Sequence, residues 1–403
     1  MICHIVFESE YSFRYFQLIE KHFSLKEHYF IVHGKGLNLN QKSYQYKNYY
    51  ITNDFSEHEV MDLLEKSTSI VINGYFSAAI TNLFFRNSKY LKKLTWITWG
   101  GDIFRLNINK SYMVEKNISI DTIIQAFRLA KRSILNVLLS LKLRLLPFKF
   151  DLEELRRSFV ILNMKNIIGV EKDFLIIKNI YKTKAKYIYG FHPFFIDWDN
   201  SNEYIELFNK RIQCLPKDKN KSSDKAFNIH MNILLGNSGS STNQHSEALE
   251  LIKKFAIDQA HVYCPLSYGD FDNIKQVIDL GKRLFGNSFT PITEIMSTDQ
   301  YMHFLTRIDV AIMNHDIQEG IGTIVTLIVL GAKIYMRTNV SSYDFFVKRG
   351  IKIFDIDDIR NTNSVGEFIF YDNATRDTNR KIAIREFSEL TWAKTWERIF
   401  AQI

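Results

Sequence analysis

A loop of small and polar residues follows an apolar run in ILLGNSGSSTNQHSEALELIKKF, residues 233–255. The apolar run predicts a buried strand that ends at Leu235, and apolar residues at helical spacing predict a helix from Asn243 onward. The first backbone N–H groups of a helix have no partner within it, and the helix dipole places partial positive charge beside them. The loop therefore predicts an anion site, with phosphate as the first candidate.

The spacing of the glycines excludes two familiar phosphate loops. Gly236 and Gly239 are three residues apart and no Gly-Lys-Ser or Gly-Lys-Thr follows, so this is neither a Walker loop nor a dinucleotide fingerprint. For this loop alone, an ordinary strand-to-helix turn capped by Thr242 or Asn243 is the alternative.

A second loop of the same kind lies in AIMNHDIQEGIGTIVTLIVLGAKIYM, residues 311–336. A predicted strand ends at Asn314, and Gly320 to Thr323 open a helix that is otherwise almost entirely apolar, which predicts burial on every side. Gly320 and Gly322 would let backbone amides approach a ligand without a Cβ in the way. A tight turn shaped only for packing is the alternative.

Glu319 argues against a turn that serves packing alone. A carboxylate beside a phosphate repels it unless the side chain reaches past the phosphate to accept hydrogen bonds from hydroxyl groups. Sugars and riboses carry such hydroxyl groups. Two helix N-termini with a hydroxyl acceptor nearby therefore predict a nucleotide-sugar site.

Both loops require parallel sheets to position them. Short apolar strands alternate with helical or polar segments from ICHIVF onward, and the alternation restarts at HMNILLGNS. This pattern predicts an α/β protein with two Rossmann-like, doubly wound domains that face each other across a cleft. Ligands of such sheets bind beyond the carboxyl ends of the strands, so we expect both loops to line the cleft.

The domain boundaries follow from a hydrophilic stretch, PKDKNKSSDKAF, which has no apolar period and predicts a linker. The predicted organisation is an N-terminal domain over 1–215, a linker over 216–228, a C-terminal domain over 229–385 and a closing amphipathic helix over 386–403.

The composition is that of a globular protein, with 46% hydrophobic and 24% charged residues, and the formal charge of +8 favours an anionic partner. The three cysteines lie far apart without metal-ligand spacing, which favours a reducing compartment. Because we find neither a signal peptide nor an apolar segment of bilayer-spanning length, we do not expect an integral membrane protein.

Much of the positive charge lies in one segment, 121–150, where six basic residues accompany a single acid. On a helix over 122–146, the apolar residues form one stripe that can enter a membrane leaflet while the cations meet anionic headgroups. A helix packed on its own core, with a solvated basic side, is the alternative. The predicted membrane and acceptor contacts are Arg128, Lys131, Arg132, Lys142 and Arg144.

Four stretches, in order along the chain, resemble glycosyltransferase family 56, the 4-alpha-L-fucosyltransferase family. They are WITWGGD at 96–102, ILLGNSGSSTNQH at 233–245, CPLSYGD at 264–270 and QEGIGT at 318–323. The resemblance covers most of residues 1–345 and is weak beyond them. It implies a GT-B architecture, a dTDP-sugar donor held mainly by the C-terminal domain, no essential metal and a polyprenyl-diphosphate-linked glycan acceptor. The family acts in the synthesis of bacterial surface polysaccharides such as enterobacterial common antigen.

The resemblance also implies a donor-binding role for matching positions in both loops and in CPLSYGD, where Tyr268 could stack on the base. Glu319 departs from the family, in which a glutamine is typical, so the donor sugar stays open. Taken alone, His245 would be a solvent-exposed residue at a helix start, and Tyr268 a core residue. The predicted donor-binding residues are Gly236, Asn237, Ser238, Asn243, His245, Pro265, Tyr268, Asn314, Gln318, Glu319, Gly320, Ile321, Gly322 and Thr323.

Glycosyl transfer builds positive charge on the sugar ring and negative charge on the departing diphosphate. If the reaction inverts the sugar, a carboxylate or histidine of the N-terminal domain must deprotonate the acceptor hydroxyl. Asp102, which closes WGGD, is the first candidate, and Glu10 is the second. A helix cap or loop-fixing role is the alternative for Asp102. Trp96 and Trp99 would flank the acceptor or lie in the core, and a retaining reaction would need no such base.

The sequence thus predicts a peripheral glycosyltransferase on the cytoplasmic face of the bacterial inner membrane. It would move a deoxyamino sugar, of the 4-acetamido-4,6-dideoxyhexose type, from a dTDP donor to a lipid-linked saccharide without cofactor, metal or nucleic acid. A nucleotide-sugar epimerase is one alternative, although it would need no basic amphipathic helix. A basic, aromatic-rich nucleic-acid-binding protein is the other, but no such signature is present.

Overall fold

The computed structural model describes residues 1–34, 48–52, 54–104, 152–192, 202–212, 231–255 and 260–403. The chain forms two compact units: unit 1 consists of Met1–Pro193 and Ala393–Ile403, and unit 2 of Phe194–Trp392. The predicted linker 216–228 and the basic segment 121–150 lie outside the described residues.

Unit 1 is built on one parallel sheet with the strand order β3-β2-β1-β4-β5-β6-β7. Two short 3₁₀ helices, Leu25–Glu27 and Ser88–Lys93, precede β2 and β5. The topological switch point, where the direction of winding reverses, lies between β1 and β4. The described elements are β1 (Ile2–Phe7), α1 (Glu10–His22), β2 (His28–His33), β3 (Tyr49–Thr52), α2 (His58–Lys66), β4 (Ser69–Asn73), α3 (Ala78–Arg86), β5 (Leu94–Ile97), α4 (Gly101–Phe104), α5 (Leu152–Asn163), β6 (Asn166–Gly169), α6 (Glu171–Tyr181) and β7 (Lys186–Tyr189).

Unit 2 repeats this plan with the parallel order β10-β9-β8-β11-β12-β13 and its switch point between β8 and β11. The predicted α/β class with two doubly wound sheets is therefore confirmed. The described elements are α7 (Asn202–Ile212), β8 (Met231–Leu235), α8 (His245–Lys253), β9 (Ala260–Pro265), α9 (Phe271–Phe285), β10 (Phe289–Ile292), α10 (Thr298–Leu305), β11 (Val310–Met313), α11 (Ile321–Leu330), β12 (Lys333–Met336), α12 (Ser341–Val347), β13 (Phe354–Asp355), α13 (Ile356–Asn361), α14 (Val365–Ile369), α15 (Asn373–Glu386) and α16 (Glu389–Phe400).

The central strands are buried on both faces, as their unbroken apolar runs predict. Every residue of β4, β5 and β11 is buried. The apolar helix α11 is buried along its length except at Gly322 and Thr323, and it ends at Gly331, whose φ is +107°. The two exceptions lie in its first turn, so this helix is rigidly held while its N-terminus is accessible.

Three local features differ from the sequence-based expectation. The strand β10 was not anticipated, and its Pro291 is tolerated because β10 is an edge strand, paired only with β9 within the described sheet. The first loop contains a 3₁₀ turn, Ser241–Asn243, so α8 begins two residues later than predicted. The closing helix starts at Glu389, because Ser388 accepts a hydrogen bond from the Thr391 backbone and separates α16 from α15.

The end of α16 packs within unit 1 against a buried histidine pair. His4 Nε2 lies 2.8 Å from His28 Nδ1, and the Tyr15 hydroxyl lies 3.1 Å from His4 Nδ1. The ring centres of Tyr15 and Trp396 are 5.4 Å apart, and those of His28 and Phe400 are 4.8 Å apart. Burial lowers the pKa of His28 from 6.5 to about 4 and that of His4 well below its ordinary value, so both rings are neutral.

Unit 1 should therefore lose stability as the pH falls below 6.5. Below this pH the two histidines bind protons in the unfolded chain but stay neutral in the folded unit. The free energy of unfolding therefore falls by up to about 1.4 kcal/mol per pH unit and histidine. Thermal unfolding midpoints measured between neutral pH and the pKa of His28 will show the fall. A His28→Asn variant should reduce the slope, whereas the exposed-site control His22→Asn should not. Equal slopes in all three proteins would contradict this account.

Candidate functional site

The two predicted loops leave the same edge of the unit 2 sheet at its switch point. Leu235 at the end of β8 pairs with Ile312 of β11, and the Gly236 backbone donates to the Ile312 carbonyl at 3.0 Å. The loop after β8 reaches α8, and the loop after β11 reaches α11. In doubly wound sheets this crevice is where ligands bind.

The carboxylate of Glu319 ties the two loops together. One oxygen accepts a hydrogen bond from the Thr242 hydroxyl, and the other accepts from Asn243 Nδ2 at 2.7 Å. Beside this link, a Cβ added to Gly320 would lie 2.9 Å from Cγ of Asn237. Side chains of the first loop therefore pack directly on the backbone of the second.

Asn243 organises the first loop rather than capping a helix. Its Oδ1 accepts from the Asn237 backbone at 2.9 Å, and its Nδ2 lies 3.3 Å from the Ser238 hydroxyl. The residue at the N-cap of α8 is Gln244, in the left-handed region at φ +49°. The alternative of a turn capped by Thr242 or Asn243 is thus wrong, because neither residue is the N-cap of α8 and, among the residues described, no side chain caps that helix.

Both helices consequently start in the same way. Each follows a residue with positive φ, Gln244 before α8 and Gly320, at φ +64°, before α11. Among the residues described, no side chain caps either helix. The first-turn N–H groups of two neighbouring helices are therefore available to an anion.

Two histidines lie buried where the loops meet. His245 is the first residue of α8, His315 follows the end of β11, and both are almost fully inaccessible. The interpretation of His245, taken without its motif, as a solvent-exposed residue is therefore wrong. Burial lowers the pKa of His245 to about 4 and, together with the neighbouring His245, lowers the pKa of His315 to about 3. Both imidazoles are therefore neutral near neutral pH.

The segment after β9 joins the first loop from the other side. The Gly239 backbone donates to the Tyr268 carbonyl at 2.6 Å, and Asp270 donates to the Gly239 carbonyl at 3.2 Å. The side chain of Tyr268 is 56% exposed, so the core alternative for it is wrong. Pro265, by contrast, is the buried last residue of β9 and lies within the sheet.

Asn314 is buried, and its side-chain amide is occupied by hydrogen bonds within the protein. Its Oδ1 accepts from Arg337 Nε at 2.8 Å, and its Nδ2 donates to Glu247 at 3.0 Å and to the Gln244 carbonyl at 3.2 Å. Arg337 also pairs with Glu247 and, at 3.1 Å, with Asp316. Sequence analysis missed Arg337 and Glu247, although Arg337 follows β12, the strand beside β11.

The remaining second-loop positions surround the start of α11. The Thr323 hydroxyl lies 3.1 Å from the Tyr301 hydroxyl, and the Ser341 hydroxyl lies 3.5 Å from Gln318 Oε1. Gln318 and Thr323 are half-buried. The first residues of α11 are Ile321, Gly322 and Thr323.

In unit 1, Asp102 is fully buried and accepts three hydrogen bonds. The donors are the Tyr75 backbone at 2.9 Å, Trp96 Nε1 at 2.7 Å and the Trp99 backbone at 2.8 Å. Burial raises the pKa of Asp102, and these hydrogen bonds oppose the rise. Such contacts favour the loop-fixing alternative over the catalytic one. Trp96 lies in the core, whereas Trp99 is half-buried and donates to Asn73 Oδ1 at 2.7 Å.

The predicted base Glu10 and the predicted membrane contacts lie where the structure describes no side chains. Glu10 is the first residue of α1, directly after its cap Ser9, and its side chain is not described. Across the described ranges, no three His, Cys, Asp or Glu side chains group as metal ligands. No helix in those ranges has the length and apolarity to cross a membrane. The predicted membrane contacts that lie outside the described residues are Arg128, Lys131, Arg132, Lys142 and Arg144.

Comparisons with known proteins agree with the sequence resemblance. The model of the family described as 4-alpha-L-fucosyltransferase, glycosyl transferase group 56, matches residues 194–402, which is more than half of the chain. This range contains every predicted donor-binding residue.

Solved structures match over the full length. HepE of Anabaena, in complex with UDP and glucose, has a TM-score of 0.60 at 10% identity, with 100% of both chains covered. Sucrose-phosphate synthase of Thermosynechococcus elongatus has a TM-score of 0.58 at 8% identity, covering 100% of this chain and 99% of that one. A glycosyltransferase of Rickettsia africae has a TM-score of 0.58 at 13% identity, covering 100% and 97%. These likenesses confirm the predicted GT-B fold.

Alanine at Gly236 or Gly320 should disrupt the joined loops. Both glycines have positive φ, and a Cβ would lie 2.7 Å from Asn243 Oδ1 at Gly236 and 2.9 Å from Asn237 Cγ at Gly320. We expect each variant to lose about 2–5 kcal/mol of unfolding free energy. Gly350→Ala is the matched control, since Gly350 has φ +80° and the only atom within 4 Å of the added Cβ is Ile382 Cδ1, at an ordinary contact distance of 3.6 Å. It should cost only about 1–2 kcal/mol, and equal losses would refute the clash.

Asp102→Asn tests the structural role of the buried carboxylate. An amide cannot accept all three N–H groups, so the thermal midpoint of unfolding should fall, by an equivalent of about 2–3 kcal/mol. The control Asp62→Asn removes an exposed carboxylate paired with Lys66 and should change stability by no more than about 0.5 kcal/mol. An Asp102→Asn protein of unchanged stability that has lost all transfer activity would instead support the base.

Proposed function

Because the chain belongs to glycosyltransferase family 56, the 4-alpha-L-fucosyltransferase family, we propose that it transfers a deoxyamino sugar from a dTDP donor to a polyprenyl-diphosphate-linked saccharide. The sugar is of the 4-acetamido-4,6-dideoxyhexose type, and the product enters a bacterial surface polysaccharide. Family membership supports this proposal over the epimerase and nucleic-acid-binding alternatives.

The observation that carries the donor site is the meeting of two uncapped helix N-termini at the switch point of unit 2. The helices are α8 and α11, and the Glu319 carboxylate holds their preceding loops together. A diphosphate carries its charge on two neighbouring groups, which suits two helix starts. HepE, which shares the fold, was solved with UDP-glucose, a nucleotide sugar of the same general class.

The proposed reaction breaks the bond between the anomeric carbon of the sugar and the diphosphate oxygen. It forms a bond between that carbon and the acceptor hydroxyl oxygen, whose proton passes to a base or to the departing diphosphate. Charge then collects on the departing diphosphate, and backbone N–H groups at the starts of α8 and α11 stabilise it. A well-aimed donor of this kind is typically worth about 3 kcal/mol in the transition state. Because these amides are rigidly placed before the reaction, they need no reorganisation when the charge develops.

The donor base and sugar lie on either side of the diphosphate in this proposal. The exposed ring of Tyr268 offers a stacking surface for the base. Gln318, half-buried in front of α11, is a candidate for the sugar. Glu319 plays a different part from the hydroxyl acceptor expected of it, since Thr242 and Asn243 already occupy both its oxygens. It is a positioning residue for the loops.

The acceptor belongs to unit 1 in this proposal. If transfer is inverting, the base is Glu10 or another acid near the carboxyl ends of β1 and β4, because Asp102 is engaged by three N–H donors. The basic segment 121–150 would hold the enzyme on the cytoplasmic face of the inner membrane, next to its lipid-linked acceptor.

A nucleotide screen tests the donor assignment. The thermal unfolding midpoint of the full chain is measured with dTDP, UDP, GDP or CDP, each with and without a chelator. We expect dTDP to raise the midpoint most, because a ligand that binds only the folded state stabilises it. Chelator should leave that shift unchanged if amides replace a metal. Thymidine, which lacks the diphosphate, is the matched control and should give a smaller shift.

Two outcomes would contradict the proposal. A preference for another nucleotide would reject dTDP as the donor carrier, and a shift that disappears with chelator would reject metal independence. Incubation of dTDP-sugar with a lipid-linked saccharide then tests transfer itself.

A further inference from the structure

The histidine pair at the junction of the two loops has no structural explanation. His245 and His315 are 2% and 0% exposed, and none of their four ring nitrogens makes a hydrogen bond of acceptable geometry within the described part of the chain, although the backbones of Ser238 and Glu319 lie close enough to favour protonated rings. A buried polar group without a partner costs free energy, and an apolar ring of similar size would fill the same space without that cost. The arrangement therefore points to a partner that is present only when the site is occupied.

The ring of His245 packs against the loop after β8. Its Nε2 lies 2.9 Å from the position that a Cβ on Gly236 would occupy, so the ring sits directly against the backbone of this loop. His245 is also the first residue of α8, whose N-terminus has no side-chain cap among the described residues. The imidazole thus lies next to both the Gly236 backbone and the open start of α8.

His315 lies beside His245, and the neighbouring His245 adds to the effect of burial in lowering the pKa of His315. Burial and the positive end of the α8 dipole act in the same direction. The backbones of Ser238 and Glu319 favour protonation of His245 and His315 respectively, but burial outweighs them. In the empty site both rings are therefore held neutral.

The fixed charges around the pair are already committed to other partners. Glu319, in the His315 loop, accepts from Thr242 and Asn243. Glu247 on α8 and Asp316 in the His315 loop both pair with Arg337, which follows β12. Their charges are present with or without a ligand, so an arriving anion is the main change in the electrostatic field at the two rings.

We propose that the pair His245–His315 takes up a proton when a nucleoside diphosphate binds, and that the resulting imidazolium supplies positive charge beside the diphosphate. This inference rests on the proposed donor site. The proton comes from solvent and is shared within the pair, so the two rings titrate as one unit. The charge is absent from the empty site, where it would be costly, and appears only with the ligand that stabilises it.

The proposal predicts how the affinity for the diphosphate changes with pH. The pKa of the pair is higher in the complex than in the empty site, so binding takes up protons wherever the pH lies between the two values. Affinity for the diphosphate should therefore fall as the pH rises, by up to about tenfold per pH unit for one full proton.

Isothermal titration calorimetry of dTDP into the full chain tests the proposal. Titrations near neutral pH in two buffers of different protonation enthalpy give the number of protons taken up. The terminal phosphate of dTDP also titrates, with a pKa of about 6. The decisive quantity is therefore the difference in proton uptake between the wild type and each variant. The wild type should take up more protons than His245→Asn, His315→Asn and the double variant, and its affinity should fall more steeply with pH.

His261→Asn is the matched control. His261 lies in β9 of the same unit, bonded to the Thr290 hydroxyl at 2.7 Å, and its substitution should leave proton uptake at the wild-type value. Thermal unfolding of each variant establishes that it is folded. The affinity profile of the wild type between slightly acidic and slightly basic pH is a second test that needs no variant.

The outcomes separate the two proposals. If dTDP binds with the same proton uptake and pH profile in the wild type and the double variant, the histidine proposal is overturned while the donor site stands. If neither dTDP nor another nucleoside diphosphate binds the folded wild type, both proposals fail. Thymidine should bind without the histidine-dependent uptake, and an equal uptake with thymidine would also overturn the role of the diphosphate.

Discussion

The hydrogen bonds that Glu319 accepts from Thr242 and Asn243 are the constraint on which the unit 2 site depends. They join two loops that leave neighbouring strands and reach different helices. The N-cap of α8 is Gln244, and no side chain among the described residues caps this helix, so its start stays open. Burial raises the pKa of Glu319, and the hydrogen bonds from Thr242 and Asn243 oppose that rise. This interaction thus holds the two loops together.

The same principle appears in unit 1 at Asp102. Its carboxylate gathers two backbone N–H groups and an indole N–H where WGGD turns after β5. Both acidic residues that the motifs place near reacting groups thus hold a loop in shape. Turns that follow parallel strands release backbone N–H groups, and a nearby carboxylate is their strongest available acceptor. In our proposal, the groups that meet the diphosphate are less fully bonded ones, namely the helix starts and the two buried histidines.

The arrangement also separates rigid groups from groups that respond to a ligand. The amides of α11 are fixed by a helix that is buried along nearly its whole length. Arg337 pairs with Glu247 and Asp316 around Asn314, and Glu247 also pairs with Arg360. His245 and His315 alone among these groups combine burial with unused nitrogens. Under our proposal, such a site presents constant dipoles to the diphosphate and gains positive charge at the histidines when the ligand binds.

The sequence by itself determined the α/β class, the family and the two strand-to-helix loops that we propose as the diphosphate site, because strand alternation, helical spacing and glycine position are local patterns. It also indicated that α11 is buried. Only the tertiary structure decided what the side chains do, because their partners are distant in the chain: Thr242 and Glu319 are 77 residues apart, and Asp102 accepts from Tyr75, 27 residues away. The burial of His245, the exposure of Tyr268 and the place of Pro291 on an edge strand likewise depend on which elements become neighbours. Composition and spacing do not specify which elements become neighbours, because the packing of the whole sheet decides this.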